Sequence, residues 1–200
     1  MTKEEILNMF RAKTDIRAWM TRPFRLNGFV YACNGHWIAR VSDDAALDAD
    51  PHDKNHPKNI EALFAQAATD GFQPLPTVEK PEACPMCDGR GFGKIHKCAD
   101  CDGDGDFAHG QHWYECKECE GNGDTFEATQ DGTDACQQCG GLTFKWGQAG
   151  VQVGDQKFSP TYVYLLAQLP GIRFANAADK TKAGHFFFEG AEGLLMPYRD

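Results

Sequence analysis

The stretch from Cys84 to Cys139 decides how this chain is organised, because it holds eight of the nine cysteines. These eight form four CxxC pairs, each with a following segment rich in glycine: CPMCDGRG (84–91), CADCDGDG (98–105), CKECEGNG (116–123) and CQQCGGLT (136–143). The first three segments fit CxxCxGxG at every fixed position, whereas the fourth has Thr143 in place of its last glycine. A fourfold repeat is a specific signal, although one CxxC pair alone would be weak.

The spacing of each pair suits a metal ion. Two residues between the thiolates let one tight turn present both sulfurs to the same tetrahedral ion, with Zn–S distances of about 2.3 Å. The glycines allow the backbone to take positive φ and fold back beside the metal. Because a closed zinc site takes four ligands, eight cysteines predict two zinc ions, and His96, His109 and His112 are not needed as ligands.

Three other uses of the cysteines are less consistent with the sequence. A disulfide framework needs an oxidising compartment, but the N-terminal MTKEEILNMFRAK lacks the apolar region of a signal peptide. A thioredoxin-like redox pair needs one CxxC at the start of a helix, and here glycine or an acidic residue follows each pair. Iron–sulfur proteins usually use more compact runs of cysteine. The sequence therefore favours structural zinc in a protein expected to be cytoplasmic.

The four repeats resemble the cysteine-rich zinc domain of the DnaJ class of co-chaperones. The resemblance covers residues 84–143 and implies an arm of β-hairpins in which repeats one and four share one zinc, and repeats two and three the other. It would assign the first zinc to Cys84, Cys87, Cys136 and Cys139, and the second zinc to Cys98, Cys101, Cys116 and Cys119. Sequential pairing, of repeat one with two and of three with four, is the alternative.

The chain departs from this family outside the cysteines. A J-domain is missing: the one candidate His-Pro pair, His56-Pro57, is followed by Lys58 where the family requires aspartate. We therefore do not expect a full co-chaperone that stimulates a partner ATPase. The Thr143 substitution and the altered spacings also affect the geometry expected for the outer site.

Most of the negative charge lies in the cysteine-rich stretch. Residues 84–139 contain twelve acidic and four basic residues, a net charge of −8 of the chain's −9. Each Zn(Cys)4 centre would add about two more negative charges. Such a surface repels nucleic acid, whose binding depends on Lys and Arg neutralising phosphates. The acidity fits solubility of a small domain, or alternatively a docking surface.

The flanking segments predict an α+β domain interrupted by the zinc arm, with residues 1–80 and 144–200 as the body and 81–143 as the arm. Neither flank alone is large enough to form a stable hydrophobic core of its own. A capping box at Thr2 and Glu5 begins the first helix, and Asn34-Gly35 predicts a two-residue hairpin turn. Further predicted elements are helices at 58–70 and 161–169, strands at 142–146, 151–153 and 172–175, and two strands near the C-terminus.

The body also resembles, over loose patterns, a repeat of a bacterial DNA sliding clamp. The matching segments are FVYACNGHWIARV (29–41), FSPTYVYLLAQLPG (158–171) and HFFFEGAEGLLMPYR (185–199). A clamp ring needs six such repeats, and this chain has room for one or two. Together the two resemblances suggest an accessory protein of a phage or mobile element.

The sequence gives no convincing catalytic motif. Asp102, Asp104 and Asp106 alternate, but an EF-hand needs glycine at position six and glutamate at twelve, where Phe107 and Trp113 stand. The polar stretch at 42–58, with its two histidines, is interpreted as a surface loop rather than a metal site. We therefore predict a non-enzymatic zinc protein that binds a protein partner or acts like a chaperone. The alternatives are a DNA-replication or processing accessory protein and a thiol–disulfide oxidoreductase.

Overall fold

The structure, a computed structural model, describes residues 1–145, 147 and 149–198. The architecture is α+β, which confirms the predicted fold class. The chain divides into two compact units: the body, formed by Met1–Pro81 and Gly147–Asp200, and the cysteine unit, formed by Glu82–Trp146. Within the described part of the chain, no helix is long and apolar enough to span a membrane.

The helices and strands are numbered in chain order. They are α1 (Lys3–Phe10), α2 (Ala18–Thr21), β1 (Phe24–Leu26), β2 (Phe29–Cys33), β3 (Trp37–Ser42), β4 (Asp50–Pro51), α3 (Ile60–Ala65), β5 (Phe92–Lys97), β6 (Asp106–His109), β7 (His112–Glu115), β8 (Asp124–Glu127), β9 (Asp134–Ala135), β10 (Val151–Val153), β11 (Gln156–Phe158), α4 (Pro160–Ala167), β12 (Arg173–Ala175), β13 (Gly184–Phe188) and β14 (Ala191–Leu195). Strands β5 to β9 belong to the cysteine unit and the remaining elements to the body.

The body is built on a seven-stranded sheet with the strand order β12-β13-β14-β3-β2-β1-β4. All neighbouring strands are antiparallel except β1 and β4. Strand β14, from the end of the chain, pairs with β3, so that Leu194 lies opposite Ile38. The segments before and after the cysteine unit therefore complete one sheet together.

One face of this sheet carries an aromatic core. Phe10 of α1 is fully buried, and its ring lies 4.3 Å from that of Trp37 and 5.6 Å from that of Phe186. Tyr162 of α4 packs on the other side of this cluster, with its ring 4.8 Å from Trp37. The capping box is present as predicted: the Thr2 hydroxyl accepts from the Glu5 amide, and the Glu5 carboxylate accepts from the Thr2 amide.

The opposite face is covered by α3. Phe64 of this helix packs with Phe24 and Tyr31 in one cluster. The guanidinium of Arg40 lies between two rings, 4.2 Å from the centroid of Phe29 and 4.1 Å from that of Phe64. Strand β2 (FVYAC) lies inside the sheet and is buried on both faces. Its apolar residues on both sides are typical of a strand covered on both faces.

The hairpin between β2 and β3 forms as predicted, but its turn is shifted by one residue. Cys33 pairs with Ile38, which places Gly35 and His36 at the centre of the turn instead of Asn34 and Gly35. Gly35 takes a φ of +88°, as the first central residue of a type II′ turn requires. The Asn34 side chain instead accepts hydrogen bonds from the amides of His36 and Trp37, at 3.0 and 3.2 Å.

Helix α3 is shorter than predicted and ends at Ala65. Farther along this segment, Gln73 forms a two-way backbone bridge with Phe174, with N···O distances of 2.9 and 2.8 Å. This pairing holds Gln73 in extended backbone, three residues beyond the predicted end of the helix. The strand predicted at 142–146 is reduced to a bridge of Phe144 with Ala83, and its last residue lies outside the described residues.

Candidate metal centres

Each cysteine repeat folds into the same turn. In the first repeat, Asp88, Gly89 and Gly91 take φ values of +50°, +72° and +79°. The same three positions have positive φ in the other repeats: Asp102, Gly103 and Gly105; Glu120, Gly121 and Gly123; and Gly140, Gly141 and Thr143. Thr143 takes a φ of +68° without being glycine. The fourth repeat therefore adopts the geometry of the others despite its different sequence.

The last glycine of each complete repeat donates its amide to a sulfur. The amides of Gly91, Gly105 and Gly123 lie 3.2, 3.2 and 3.3 Å from Sγ of the second cysteine of their own pair. Hydrogen bonds to the charged form of a group favour that form. These amides therefore stabilise a thiolate, the form in which cysteine binds metal.

Backbone hydrogen bonds join the repeats in a nested order. In the outer set, the Cys84 amide donates to the Thr143 carbonyl at 2.9 Å, and the Cys136 amide donates to the Gly91 carbonyl at 2.8 Å. The inner set repeats this exchange: Cys98 donates to Gly123 at 3.0 Å and Cys116 donates to Gly105 at 2.9 Å. Repeat one thus pairs with repeat four, and repeat two with repeat three.

The eight sulfurs form two groups of four, in which the ligand atoms of each group lie within 4.8 Å of one another. The outer group is Cys84, Cys87, Cys136 and Cys139, and the inner group is Cys98, Cys101, Cys116 and Cys119. Across the repeats, Sγ of Cys84 and Cys136 are 3.9 Å apart, and Sγ of Cys101 and Cys119 are 3.7 Å apart. A tetrahedron of sulfurs about 2.3 Å from a central ion has edges of about 3.8 Å, so each group could hold a metal ion.

The sulfur groups are covered by protein and are not disulfides. All eight cysteines are at most 5 % exposed. Their sulfur separations are nearly twice the disulfide length of about 2.05 Å. Burial raises the pKa of the Cys119 thiol to about 12. At Cys101 burial acts in the same direction, but the Gly105 amide and the neighbouring thiols outweigh it and lower that pKa to about 7.

Close backbone approach explains why glycine ends these repeats. A Cβ at Gly105 would lie 2.4 Å from the Gly121 carbonyl oxygen, and one at Gly123 would lie 2.5 Å from that of Gly103.

Small sheets extend from the two sulfur groups: β5 pairs with both β8 and β9, while β6 and β7 form a separate hairpin. The unit therefore consists of hairpins connected through the cysteine turns.

The histidines of this unit are not part of either sulfur group. His96 lies 3.1 Å from the Glu127 carboxylate, and His109 and His112 face each other across the turn between β6 and β7. Three exposed rings of this unit, Phe107, Trp113 and Tyr114, were not among the predicted functional residues. Their signal in the sequence was three aromatic residues in the short segment between the second and third cysteine pairs.

In the body, one of the two histidines of the polar stretch at 42–58 packs into the core, which the interpretation as a surface loop did not predict. His56 is buried, its Nδ1 lies 2.8 Å from the Asp53 carboxylate, and its ring lies 4.5 Å from that of Phe24. Among the described residues, only the two cysteine groups bring three or more metal-ligating side chains together. Comparison with known protein families finds no matching family, and a search of curated proteins finds no similar sequence.

Proposed function

We propose that each sulfur group binds one zinc ion as a closed structural site, and that the cysteine unit is a zinc-supported module for binding a protein partner. The observation that carries this proposal is the set of sulfur separations, 3.7–3.9 Å across the paired repeats. Four protein ligands leave no open position for a water or substrate, which is the arrangement of structural rather than catalytic zinc.

The ligand type supports zinc over other divalent ions. Four thiolates in tetrahedral geometry suit zinc or iron, whereas calcium, magnesium and manganese take oxygen ligands. A multi-iron cluster places iron and sulfide between the thiolates and so holds them farther apart than a single ion does. The short separations therefore favour one ion in each group, and metal analysis distinguishes zinc from a single iron.

The surface of the unit supports a protein partner. The cysteine stretch carries twelve acidic and four basic residues, which disfavours the phosphate contacts on which nucleic-acid affinity depends. Trp113 and Tyr114 are 70 % and 55 % exposed on the same strand. Exposed aromatic side chains are enriched at protein–protein interfaces.

Native mass spectrometry of the full chain tests the metal assignment. The expected mass is that of the chain plus two zinc ions. Cys101→Ser should lose at least one ion, because it removes a ligand of the inner group, whereas Cys33→Ser should keep both. One ion or none in the native chain, iron in place of zinc, or a stable disulfide among the eight cysteines would refute the assignment.

The alternative functions predict different results. A thiol–disulfide oxidoreductase would reduce a disulfide substrate while one of its own CxxC pairs is oxidised to a disulfide, whereas thiols held by zinc would leave that substrate unchanged. A DNA accessory protein would bind duplex DNA with a steep dependence on salt. A chaperone-like form of the proposed function would suppress aggregation of an unfolded test protein, and zinc removal should abolish that effect.

A further inference from the structure

The β6–β7 hairpin has aromatic side chains on both faces. Phe107 lies directly opposite Tyr114, and Ala108 lies opposite Trp113. Because successive residues of a strand point to opposite faces, the first pair shares one face and the second pair shares the other. Phe107, Trp113 and Tyr114 are 43 %, 70 % and 55 % exposed. The hairpin therefore presents apolar surface that its own fold leaves uncovered.

Two carboxylates share the face of Trp113. Asp106 and Glu115 also lie opposite each other, two positions along the same ladder from Ala108 and Trp113. These two pairs therefore point to the same side. An indole ring on the same face as two carboxylates suits a cation. The ring face attracts a guanidinium or ammonium group, and a carboxylate can accept its hydrogen bonds. On the opposite face, Phe107 and Tyr114 offer a surface for an apolar side chain.

The surroundings of the hairpin are strongly acidic. Residues 97–124, which contain the inner repeats and the hairpin, include eight acidic and two basic residues, a net charge of −6. One of the two bases, Lys97, is already paired with Asp102 at 2.7 Å. The charge opposes the approach of a second copy of this chain or of a nucleic acid, and it attracts a basic partner.

We infer that the β6–β7 hairpin docks an extended, basic segment of a protein partner, in which Lys or Arg alternates with apolar residues. The basic side chains would lie over Trp113 between Asp106 and Glu115, and the apolar ones against Phe107 and Tyr114. An isolated two-stranded sheet also has unpaired backbone groups on its outer edges, to which an extended peptide can add as a strand. This inference rests on the proposed function, since it names the partner of the same module.

Synthetic peptides test this inference on the full zinc-loaded chain. Binding of a dye-labelled eight-residue peptide of alternating Arg and Leu is measured by fluorescence anisotropy, beside a Glu/Leu peptide of the same pattern and a single-stranded oligonucleotide. We expect the Arg/Leu peptide to bind and the other two to show no binding. Affinity should fall as salt rises, because exposed charges are screened.

Matched variants locate the site. Trp113→Ala should weaken binding of the Arg/Leu peptide by about tenfold, whereas Met86→Ala, which removes another exposed apolar side chain of the cysteine unit, should leave it unchanged. The double change Asp106→Asn with Glu115→Gln should weaken it more than Asp70→Asn with Glu79→Gln. The second pair alters net charge equally but lies in the body.

The outcomes separate this inference from the proposed function. The docking site would be overturned, and the metal assignment kept, if the chain binds two zinc ions but shows no preference for the Arg/Leu peptide. The same conclusion would follow if Trp113→Ala has no effect on binding of that peptide. Tighter binding of the oligonucleotide, or self-association that Trp113→Ala abolishes, would replace the basic partner by nucleic acid or by a second copy. Loss of zinc in the unmodified chain would instead refute the metal assignment itself.

Discussion

The amide of Cys84 donates a hydrogen bond to the carbonyl of Thr143 at 2.9 Å, joining the first cysteine of the first repeat to the last position of the fourth. Thr143 makes this contact from a left-handed backbone, with φ of +68°, where the other three repeats have glycine. For a β-branched residue this conformation is a genuine outlier. The closure of the outer sulfur group thus depends on a strained residue.

Thr143→Gly should stabilise the cysteine unit. Removing the side chain relieves strain of about 1–3 kcal/mol, which exceeds the about 0.4–1 kcal/mol that the added freedom of the unfolded chain costs. We expect a net gain of about 1 kcal/mol in the free energy of unfolding. Chemical denaturation followed by circular dichroism, with zinc bound, measures it.

Gly123→Ala is the matched control for that change. Gly123 occupies the equivalent position in the third repeat, and a Cβ there would lie 2.5 Å from the Gly103 carbonyl oxygen. This variant should be destabilised and should lose zinc to a competing chelator more readily than the unmodified chain. A less stable Thr143→Gly variant would show that contacts of the threonine side chain outweigh its backbone strain.

The nested pairing predicts which thiols become reactive when one ligand is removed. Cys136→Ser should expose Cys84 and Cys87 to alkylation, because these two share its sulfur group. Cys116→Ser should expose Cys98 and Cys101 instead. Mass spectrometry of peptides after brief treatment with iodoacetamide identifies the labelled sites. Labelling of Cys116 and Cys119 in the Cys136→Ser variant would contradict the nested arrangement.

Removal of zinc should make eight of the nine thiols reactive and leave Cys33 protected. Cys33 belongs to the body, is 6 % exposed, and burial raises the pKa of its thiol to about 12. The thiolate, which is the reactive form, is therefore a very small fraction of Cys33 at pH 8. Thiol titration after chelation, without denaturant, tests the count. A ninth reactive thiol under these conditions would contradict the burial of Cys33.

The raised pKa of the Cys33 thiol also determines how the folding stability of the body changes with pH. Folded Cys33 holds its proton more tightly than the unfolded thiol does, so this contribution to stability is complete below the ordinary thiol pKa. It declines as the pH rises from that value towards 12. Cys33→Ala should remove the decline, which denaturation of the unmodified and variant chains between pH 8 and pH 10 measures.

Replacing residues 82–146 by a short Gly/Ser linker should leave a folded body. The two ends of the cysteine unit lie side by side, since the Lys145 amide donates to the Glu82 carbonyl at 2.9 Å. A short linker can span ends so close, and loop closure costs vary only slowly with length. We expect a soluble protein with a cooperative thermal transition. An unfolded product would show that the body depends on the cysteine unit.

The sequence predicted the local turns of the cysteine repeats better than the details of the body. The CxxC spacing and the glycines act locally, through turn geometry and positive φ, and such local constraints can be read from the chain. The partition into repeats one with four and two with three came only from the family resemblance, since four identical turns leave the choice open. In the structure the exchange between Cys136 and Gly91 supplies what spacing could not.

The differences in the body involve one long-range contact and one local contact. Helix α3 ends before residue 70, and the chain beyond it is held by the pairing of Gln73 with Phe174, residues that lie 101 positions apart in the sequence. The hairpin turn is shifted by one residue because the Asn34 side chain accepts hydrogen bonds from two backbone amides. Asn34 therefore precedes the two central residues of the turn. The first effect has no local signature, whereas the second is a local side-chain contact that competes with the Asn-Gly turn. The sequence shows that β6 and β7 contain aromatic residues. It does not show that these rings are exposed, because exposure depends on which other elements pack against the hairpin.

The nested arrangement sets an order in which the two sites can be completed during synthesis. The paired cysteines of the inner group are 18 residues apart, and those of the outer group 52. The last inner ligand, Cys119, leaves the ribosome 20 residues before Cys139, the last outer one. Closing the longer loop also costs about 1 kcal/mol more in chain entropy. If the proposed zinc sites are filled during synthesis, we therefore expect the inner site to be filled first. By fixing Lys97 and Asp124 side by side, it would shorten the free chain that the outer site must close.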